Sequence, residues 1–299
     1  MESFQRGFAF LKQSWQMALA DRDLIKPSLI ALVAGFFVTL IFLIPLGLTG
    51  FLIGDSRFGQ ALLFIVGAVM VFAQYTTTYI FSAMTIYLIY GYLAEGDGRM
   101  DKAWGIVKRD GLDIVSLAAA STAVNLLNSF LRNKGRNRGG AIAAGLIETV
   151  WTEAGYLILP SMVIEDINLK DSLKRVAQIT RDNLLLIGVS TVGVKAVTGL
   201  IGFFLGAVGV VLGLGIGFGI ASVAQSSTLA IVTGIILGVL VASAFIMTAA
   251  VVSSYTATAY HTCLYLWARD VEKARQQGAP AGAISAPAPL AAVLGGVGR

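Results

Sequence analysis

Three charged side chains fall well inside apolar runs of the chain: Glu148, Glu153 and Lys195. Left alone at the centre of a bilayer, each would cost about 2.5–3.5 kcal/mol, so each is expected to meet a partner within the protein. Taking Ile164 and Leu184 as the inner ends of two consecutive antiparallel helices, Glu153 and Lys195 sit at the same depth, and the spacing predicts an ion pair between them, direct or through water. Glu148 lies about 140° around the helix from Glu153 and requires a different partner, such as Tyr, Thr or ordered water. Two readings follow: a buried pair that fixes helix register, or a proton or ion relay.

A second pattern is glycine. Gly199, Gly202, Gly206, Gly209 and Gly213 recur at steps of three and four and draw one stripe along a helix, where a neighbouring backbone can approach closely. The neighbour is a helix of the same chain or of another subunit. Beyond the stripe, the density of Gly215, Gly217 and Gly219 predicts a bend or an outer loop. Polar faces on Gln74, Thr78, Ser82 and Thr85, and on Ser121, Asn125 and Asn128, must turn inward, either for interhelical hydrogen bonding or to line a solute pathway.

Enzyme signatures are missing: the sequence has no H-E-x-x-H and no G-x-S-x-G, and Asp97-Gly98-Arg99-Met100-Asp101 lacks the later aspartates of a headgroup transferase. The single cysteine, Cys263, excludes an internal disulfide, and with the one histidine, His261, it cannot make a metal cluster. No metal and no cofactor are expected.

The elements that must carry these residues follow from composition. The 299 residues are 56% hydrophobic and 13% charged, with a mean hydropathy of +0.78, which excludes a soluble globule and predicts an all-α membrane protein. Apolar runs predict about six transmembrane helices, near 28–53, 60–93, 112–131, 140–164, 184–215 and 228–268. Residues 1–27 mix charge with apolar side chains, so the first run is expected to be a retained anchor rather than a cleaved signal. Lys and Arg cluster in alternate linkers, which places both termini in the cytoplasm and the protein in the cell membrane; the net charge of +5 is a topology signal, with no nucleic-acid partner implied. The cluster Arg132, Lys134, Arg136 and Arg138 falls on the outer side and breaks the rule, which leaves an outer basic loop, the favoured reading, or a re-entrant hairpin over 112–164.

Segments 3–23, 99–110 and 168–182 each predict a short interfacial amphipathic helix before a pair of spans, with apolar sets Phe4, Phe8, Leu11, Trp15; Met100, Ala103, Trp104, Val107; and Leu169, Leu173, Val176, Ile179. Each ends in Arg-Asp, and Arg22, Arg109 and Arg181 are the expected contacts to lipid headgroups. Residues 1–270 then form one domain of three such units, near 1–93, 97–164 and 168–268, and the Ala/Pro/Gly-rich segment 271–299 is expected to be a disordered cytoplasmic tail.

Several of these segments together resemble a family. Phe8, Leu11, Ser14-Trp15 and Arg22-Asp23-Leu24 before Pro27, Ile147-Glu148 with Trp151, Leu159-Pro160 ahead of Glu165, and Asp171-Ser172-Leu173-Lys174-Arg175 are similar to a bacterial polytopic integral-membrane family of unknown function. The pattern also resembles, more distantly, the membrane region attached to some glycerophosphodiesterases, although no phosphodiesterase domain is present. The resemblance implies a helical fold of about six spans and no established activity. The glycine-rich fifth run and the Ala/Pro tail depart from it.

The reading that results is a non-enzymatic assembly, scaffold or membrane-organising subunit, in contact with membrane lipids and a homo-oligomer or part of a membrane complex. The alternative is a transporter or channel whose polar pathway uses Glu148, Glu153 and Lys195.

Overall fold

A computed structural model describes residues 2–54, 56–134, 138–223, 228–278 and 284–294, and among these the chain is helical with no strand. The elements are α1 (Glu2–Ala20), a 3-10 turn (Arg22–Leu24), α2 (Lys26–Ile53), α3 (Arg57–Glu95), α4 (Met100–Arg109), α5 (Gly111–Lys134), α6 (Arg138–Glu165), α7 (Leu169–Val223), α8 (Thr228–Gln276) and α9 (Ala288–Leu294). Five stretches are long and apolar enough to cross a membrane: Arg22–Ile53, Arg57–Glu95, Gly111–Arg132, Ala196–Ile220 and Ile231–Gln276. Large apolar side chains crowd their surfaces, with Phe51 89%, Phe58 73% and Phe218 72% exposed, as a lipid solvent permits and water does not.

Helix α6 is 28 residues long yet falls outside that set of five. Its Glu148, Thr149, Trp151, Thr152 and Glu153 dilute the apolar character that length alone would provide.

Helix boundaries follow local chemistry. Pro27 occupies the first turn of α2, where its missing N–H leaves no helical bond unmade. Ser56 caps α3 by accepting from the Gly59 N–H at 2.9 Å. A β-carbon at Gly59 would lie 1.8 Å from the Ile53 carbonyl oxygen, so the α2–α3 hairpin closes only over a bare backbone there. Gly96 ends α3 in the left-handed region, φ 80°, and donates its N–H to the Tyr92 carbonyl. Asp166 ends α6 at φ 55°, a conformation that Asp tolerates better than most residues.

The chain divides into two compact units rather than three sequential ones. One comprises residues 1–17, 185–260 and 288–299; the other comprises 18–184 and 261–287. The repeat expected from the three Arg-Asp segments dissolves at its third member, because α7 runs unbroken for 55 residues through Arg181 and Asp182. No loop interrupts the helix at Gly215–Gly219, and α7 continues to Val223. Glycine lowers helix propensity by about 1 kcal/mol; Gly217 packs against α8, where a β-carbon would lie 3.4 Å from the Gly234 carbonyl oxygen, whereas at Gly215 and Gly219 it would meet nothing within 4 Å.

The amphipathic faces also differ from expectation. In α1 the buried residues are Gly7, Phe10, Ser14, Met17 and Ala18, whereas Phe8 is half exposed, Leu11 and Trp15 are partly buried and the Phe4 side chain lies outside the described residues. Phe10 meets Tyr260 edge-on with centroids 5.4 Å apart, the Trp15 indole donates to Thr256 at 3.2 Å, and the Tyr255 hydroxyl donates to the Ser14 carbonyl at 3.1 Å. Helix α4 buries Ala103 and Ile106 and leaves Trp104 44% exposed. In place of a wholly structureless tail, α8 extends to Gln276, and α9 buries Leu290.

Asp21 ties the second unit together at one edge. Its carboxylate accepts the Asp23 N–H at 2.9 Å and the Gly98 N–H at 2.7 Å, which joins the α1–α2 link to the α3–α4 turn. A β-carbon at Gly98 would stand 2.8 Å from both Asp21 Oδ2 and Leu24 Cδ1. Gly98→Ala is therefore expected to destabilise the protein by about 1–2 kcal/mol, seen as a lower thermal midpoint in detergent micelles, with unchanged helix content.

Candidate functional site

A polar seam crosses the apolar helices of the second unit. Gln74 of α3 donates to the Gly35 carbonyl at 3.0 Å and to the Thr39 hydroxyl at 2.7 Å, both on α2. Further along α3, the Tyr79 hydroxyl and Ser121 Oγ of α5 share a hydrogen bond of 2.8 Å, and the Trp151 indole of α6 donates to the same Ser121 oxygen at 3.0 Å. Trp is a donor only, so Ser121 must accept from it, and one hydroxyl then holds three helices. Tyr75 stacks on Tyr79 with centroids 5.7 Å apart. Two turns above Ser121 on the same face, Asn128 is 5% exposed and its Oδ1 has no donor among the described residues. Ser121→Ala leaves the partly buried Trp151 indole and Tyr79 hydroxyl without this partner and is expected to cost about 1–3 kcal/mol in an unfolding titration, whereas Asn128→Leu is expected to be neutral or stabilising.

Glu153 and the single histidine lie next to this seam. His261 Nε2 of α8 is 3.9 Å from Glu153 Oε2 of α6, and the imidazole lies flat on the Tyr156 ring with centroids 4.3 Å apart and planes 8° apart. The histidine side chain is 4% exposed and the carboxylate 35%. Pro160 is one turn on from Tyr156 and has no N–H to offer the Tyr156 carbonyl. The sequence pointed to His261 only beside Cys263, as a pair too small for a metal cluster; the signal available was a titratable residue within an apolar run.

The other expected residues divide. Glu148 is more than half exposed and pairs with Arg132 of α5 rather than with Tyr, Thr or water inside the bundle. That pair supplies a counter-charge to one member of the basic cluster that broke the topology rule. Two long side chains can meet at the exposed rim of a helix hairpin without the desolvation that a core position would impose. The Lys195 side chain lies outside the described residues, and with it the expected Glu153–Lys195 pair.

Arg109 is engaged with protein carboxylates, Asp110 at 2.6 Å and Asp166 at 3.1 Å, so it is a tie between α4 and the end of α6 before it is a headgroup contact. The Asp110 hydrogen bond, against a smaller effect of burial, raises its pKa further. Arg22 and Arg181 are exposed and form no ion pair among the described residues.

A charged layer that the sequence did not flag closes the same end of the unit. Arg175 of α7 binds Glu165 of α6 at 3.1 Å and Glu272 of α8, with the fully buried Tyr265 close by. Arg269 lies with its guanidinium 6.0 Å from the Tyr90 ring centroid. Counted along α6 and α8, Glu153 and His261 stand about 16–18 Å from this layer.

In the first unit the glycine stripe splits in two. A β-carbon on Gly209 would lie 2.5 Å from Phe245 Cβ, and one on Gly213 would lie 2.4 Å from the Gly238 carbonyl oxygen. On Gly199, Gly202 or Gly206 it would meet nothing within 4 Å. The partner stripe on α8 is Gly234, Gly238 and Ala242, so α7 and α8 pack small face to small face in antiparallel fashion. An apolar groove of about 380 Å³ lies along the same pair, between Val210, Leu214, Phe218, Ile231 and Ile235.

This arrangement is that of a helical protein with several apolar helices compatible with a multi-pass membrane protein. Comparisons with protein-family models, with curated proteins and with solved structures find no match.

Proposed function

We propose that this chain is a non-enzymatic integral membrane protein that acts as an assembly, scaffold or membrane-organising subunit and associates with copies of itself. The observation that carries the reading is the split glycine stripe. Gly209 and Gly213 are consumed by α8, while Gly199, Gly202 and Gly206 continue the same stripe with open space before them, a surface suited to a neighbouring backbone. The bonding within the seam supports it, since Gln74, Tyr79, Ser121 and Trp151 spend their polar groups on other helices.

In this reading α6 makes a sixth crossing: it is long enough and is bonded to α3 and α5 through Ser121. Both termini face the cytoplasm of the cell, α1 and α4 lie at the inner interface, and Arg22 and Arg181 contact anionic headgroups there. The resemblance to a membrane family without established activity accords with it. Membrane lipids and a second copy of the chain are the partners, and nucleic acid is not.

The test is Gly206→Leu in the full chain. Loss of the oligomer in cross-linking and light scattering, with unchanged thermal stability, is the expected result; an unchanged particle size would sink the glycine-mediated contact.

A carrier that uses Glu153 and Lys195 is the second reading, favoured by the approach of Glu153 to His261. It loses Glu148, whose partner Arg132 is on the exposed rim. Glu153→Gln together with Lys195→Met should abolish solute flux in proteoliposomes if this second reading holds, and leave assembly intact under the first.

A further inference from the structure

The molecule brings its one imidazole against a carboxylate between α6 and α8, next to apolar spans and well away from the charged layer. We propose that Glu153 and His261 form a proton-binding site in which one proton passes between the imidazole and the carboxylate through a bridging water. The site goes beyond the scaffold reading and requires no solute pathway.

Three features build it. The gap of 3.9 Å between Nε2 and Oε2 is too long for a direct hydrogen bond and is spanned by a water or by a small rotation of the carboxylate. The imidazole is held in place by the parallel Tyr156 ring, so the carboxylate is the member that adjusts. The two groups differ in access: the histidine is enclosed, and the carboxylate is open enough to exchange protons with its surroundings. Pro160 leaves the turn that carries Tyr156 without one helical N–H donor, which loosens the wall of the site rather than its centre.

The step balances. Nε2 of the imidazolium gives its proton to the bridging water as that water gives one to Oε2. One N–H bond breaks and one O–H bond forms, and imidazolium with carboxylate becomes imidazole with carboxylic acid. The pair has no net charge in either form, which is what a low-dielectric surrounding tolerates. Among the described residues, the titratable neighbours are these. From α6 comes Tyr156, and from α3 come Tyr79 and Tyr75 beside it. Ser121 is what α5 offers to Tyr79, and it does not titrate. On α8 the next titratable groups are Tyr260, Cys263 and Tyr265, and the next charge is Arg269; along α6 the next charges are Glu148 and Glu165. From α7, Lys195 enters the test as a variant.

Because His261 is the one histidine, nitrogen-15 histidine labelling of the full chain in lipid nanodiscs gives a single imidazole to follow against pH. In the native chain the imidazole nitrogens and the Glu153 carboxyl carbon, labelled with carbon-13, are expected to titrate with a common midpoint, since the proton belongs to the pair. Separate midpoints overturn the site, and this arm needs no variant to fold. Glu153→Gln is expected to move the histidine midpoint by about one pH unit or more, and Lys195→Met to leave it in place. A midpoint unmoved by Glu153→Gln, or moved as far by Lys195→Met, assigns the proton elsewhere and ends the proposal. Gly206→Leu leaves the midpoint unchanged, so failure of the assembly reading and failure of this site are read separately.

Discussion

Gly213→Leu is expected to prevent α7 and α8 from closing on each other, with a loss of folded protein larger than any other single substitution on this pair of helices. The reason is the identity of the atom in the way. A β-carbon at Gly213 would stand 2.4 Å from the Gly238 carbonyl oxygen and 3.1 Å from the Ala242 β-carbon, and the reciprocal β-carbon at Gly238 would stand 2.4 Å from the Gly213 carbonyl oxygen. A flexible side chain could swing aside, but a helix carbonyl moves only if the whole of α8 moves. Overpacking of this kind costs about 1–3 kcal/mol for small additions, so Gly213→Ala is placed in that range and Gly213→Leu above it. Gly206→Leu, on the same stripe two turns away, meets open space and should leave the thermal midpoint of the isolated chain unchanged. Circular dichroism melts of the three variants in one detergent check the order. A Gly213→Ala protein as stable as the native one would show that the helices are not in contact at that level.

The second large effect is at Arg175. Its side chain is 19% exposed and its partners Glu165 and Glu272 are 22% and 25% exposed, so Arg175→Met leaves two partly buried carboxylates facing each other without the cation. Removing one partner of a buried pair costs about 3–5 kcal/mol; the residual exposure of all three groups brings the expectation to about 2–4 kcal/mol. Replacing the set together, Arg175→Met with Glu165→Gln and Glu272→Gln, should recover most of the loss, because the uncompensated charge disappears along with the attraction. Burial works against the Arg175 charge, but the hydrogen bonds and attraction from Glu165 and then Glu272 outweigh it and raise its pKa. A raised basic group contributes stability at every pH below its unfolded value and loses it only as pH climbs through the folded one. The guanidinium therefore stays charged across the range in which the protein is handled, and stability measured between pH 7 and 9 should show no step from this residue. Equal stabilities of the single and triple variants would show that the three groups do not act together.

Much of the architecture was legible in residue order because hydrocarbon is a demanding solvent. Runs of about 20 apolar residues have few alternatives to a helix, and the runs read near 28–53 and 60–93 fall within α2 and α3. The polar face of α5 was also readable, since Ser121 and Asn128 sit on one side of a helix by period alone. The repeat was not: Arg22-Asp23, Arg109-Asp110 and Arg181-Asp182 are alike as strings, yet one follows α1 at a 3-10 turn, one ends α4 and one lies within the unbroken α7. Whether a basic linker breaks a helix depends on what packs against it, and a window of fifteen residues does not contain that information.

The composition and periodicity of the chain thus determined that it is helical, that several helices are long and apolar enough for a bilayer, and that the glycines from Gly199 to Gly213 draw one small-residue stripe, because each of these follows from the local solvent and from side-chain size. Which glycines are filled, that Glu148 turns to Arg132, that His261 lies on Tyr156 beside Glu153 and that Arg175 gathers Glu165 and Glu272 were decided by tertiary structure alone. Charge and aromatic contacts act over a few ångströms in space, and helices distant in sequence supply the partners.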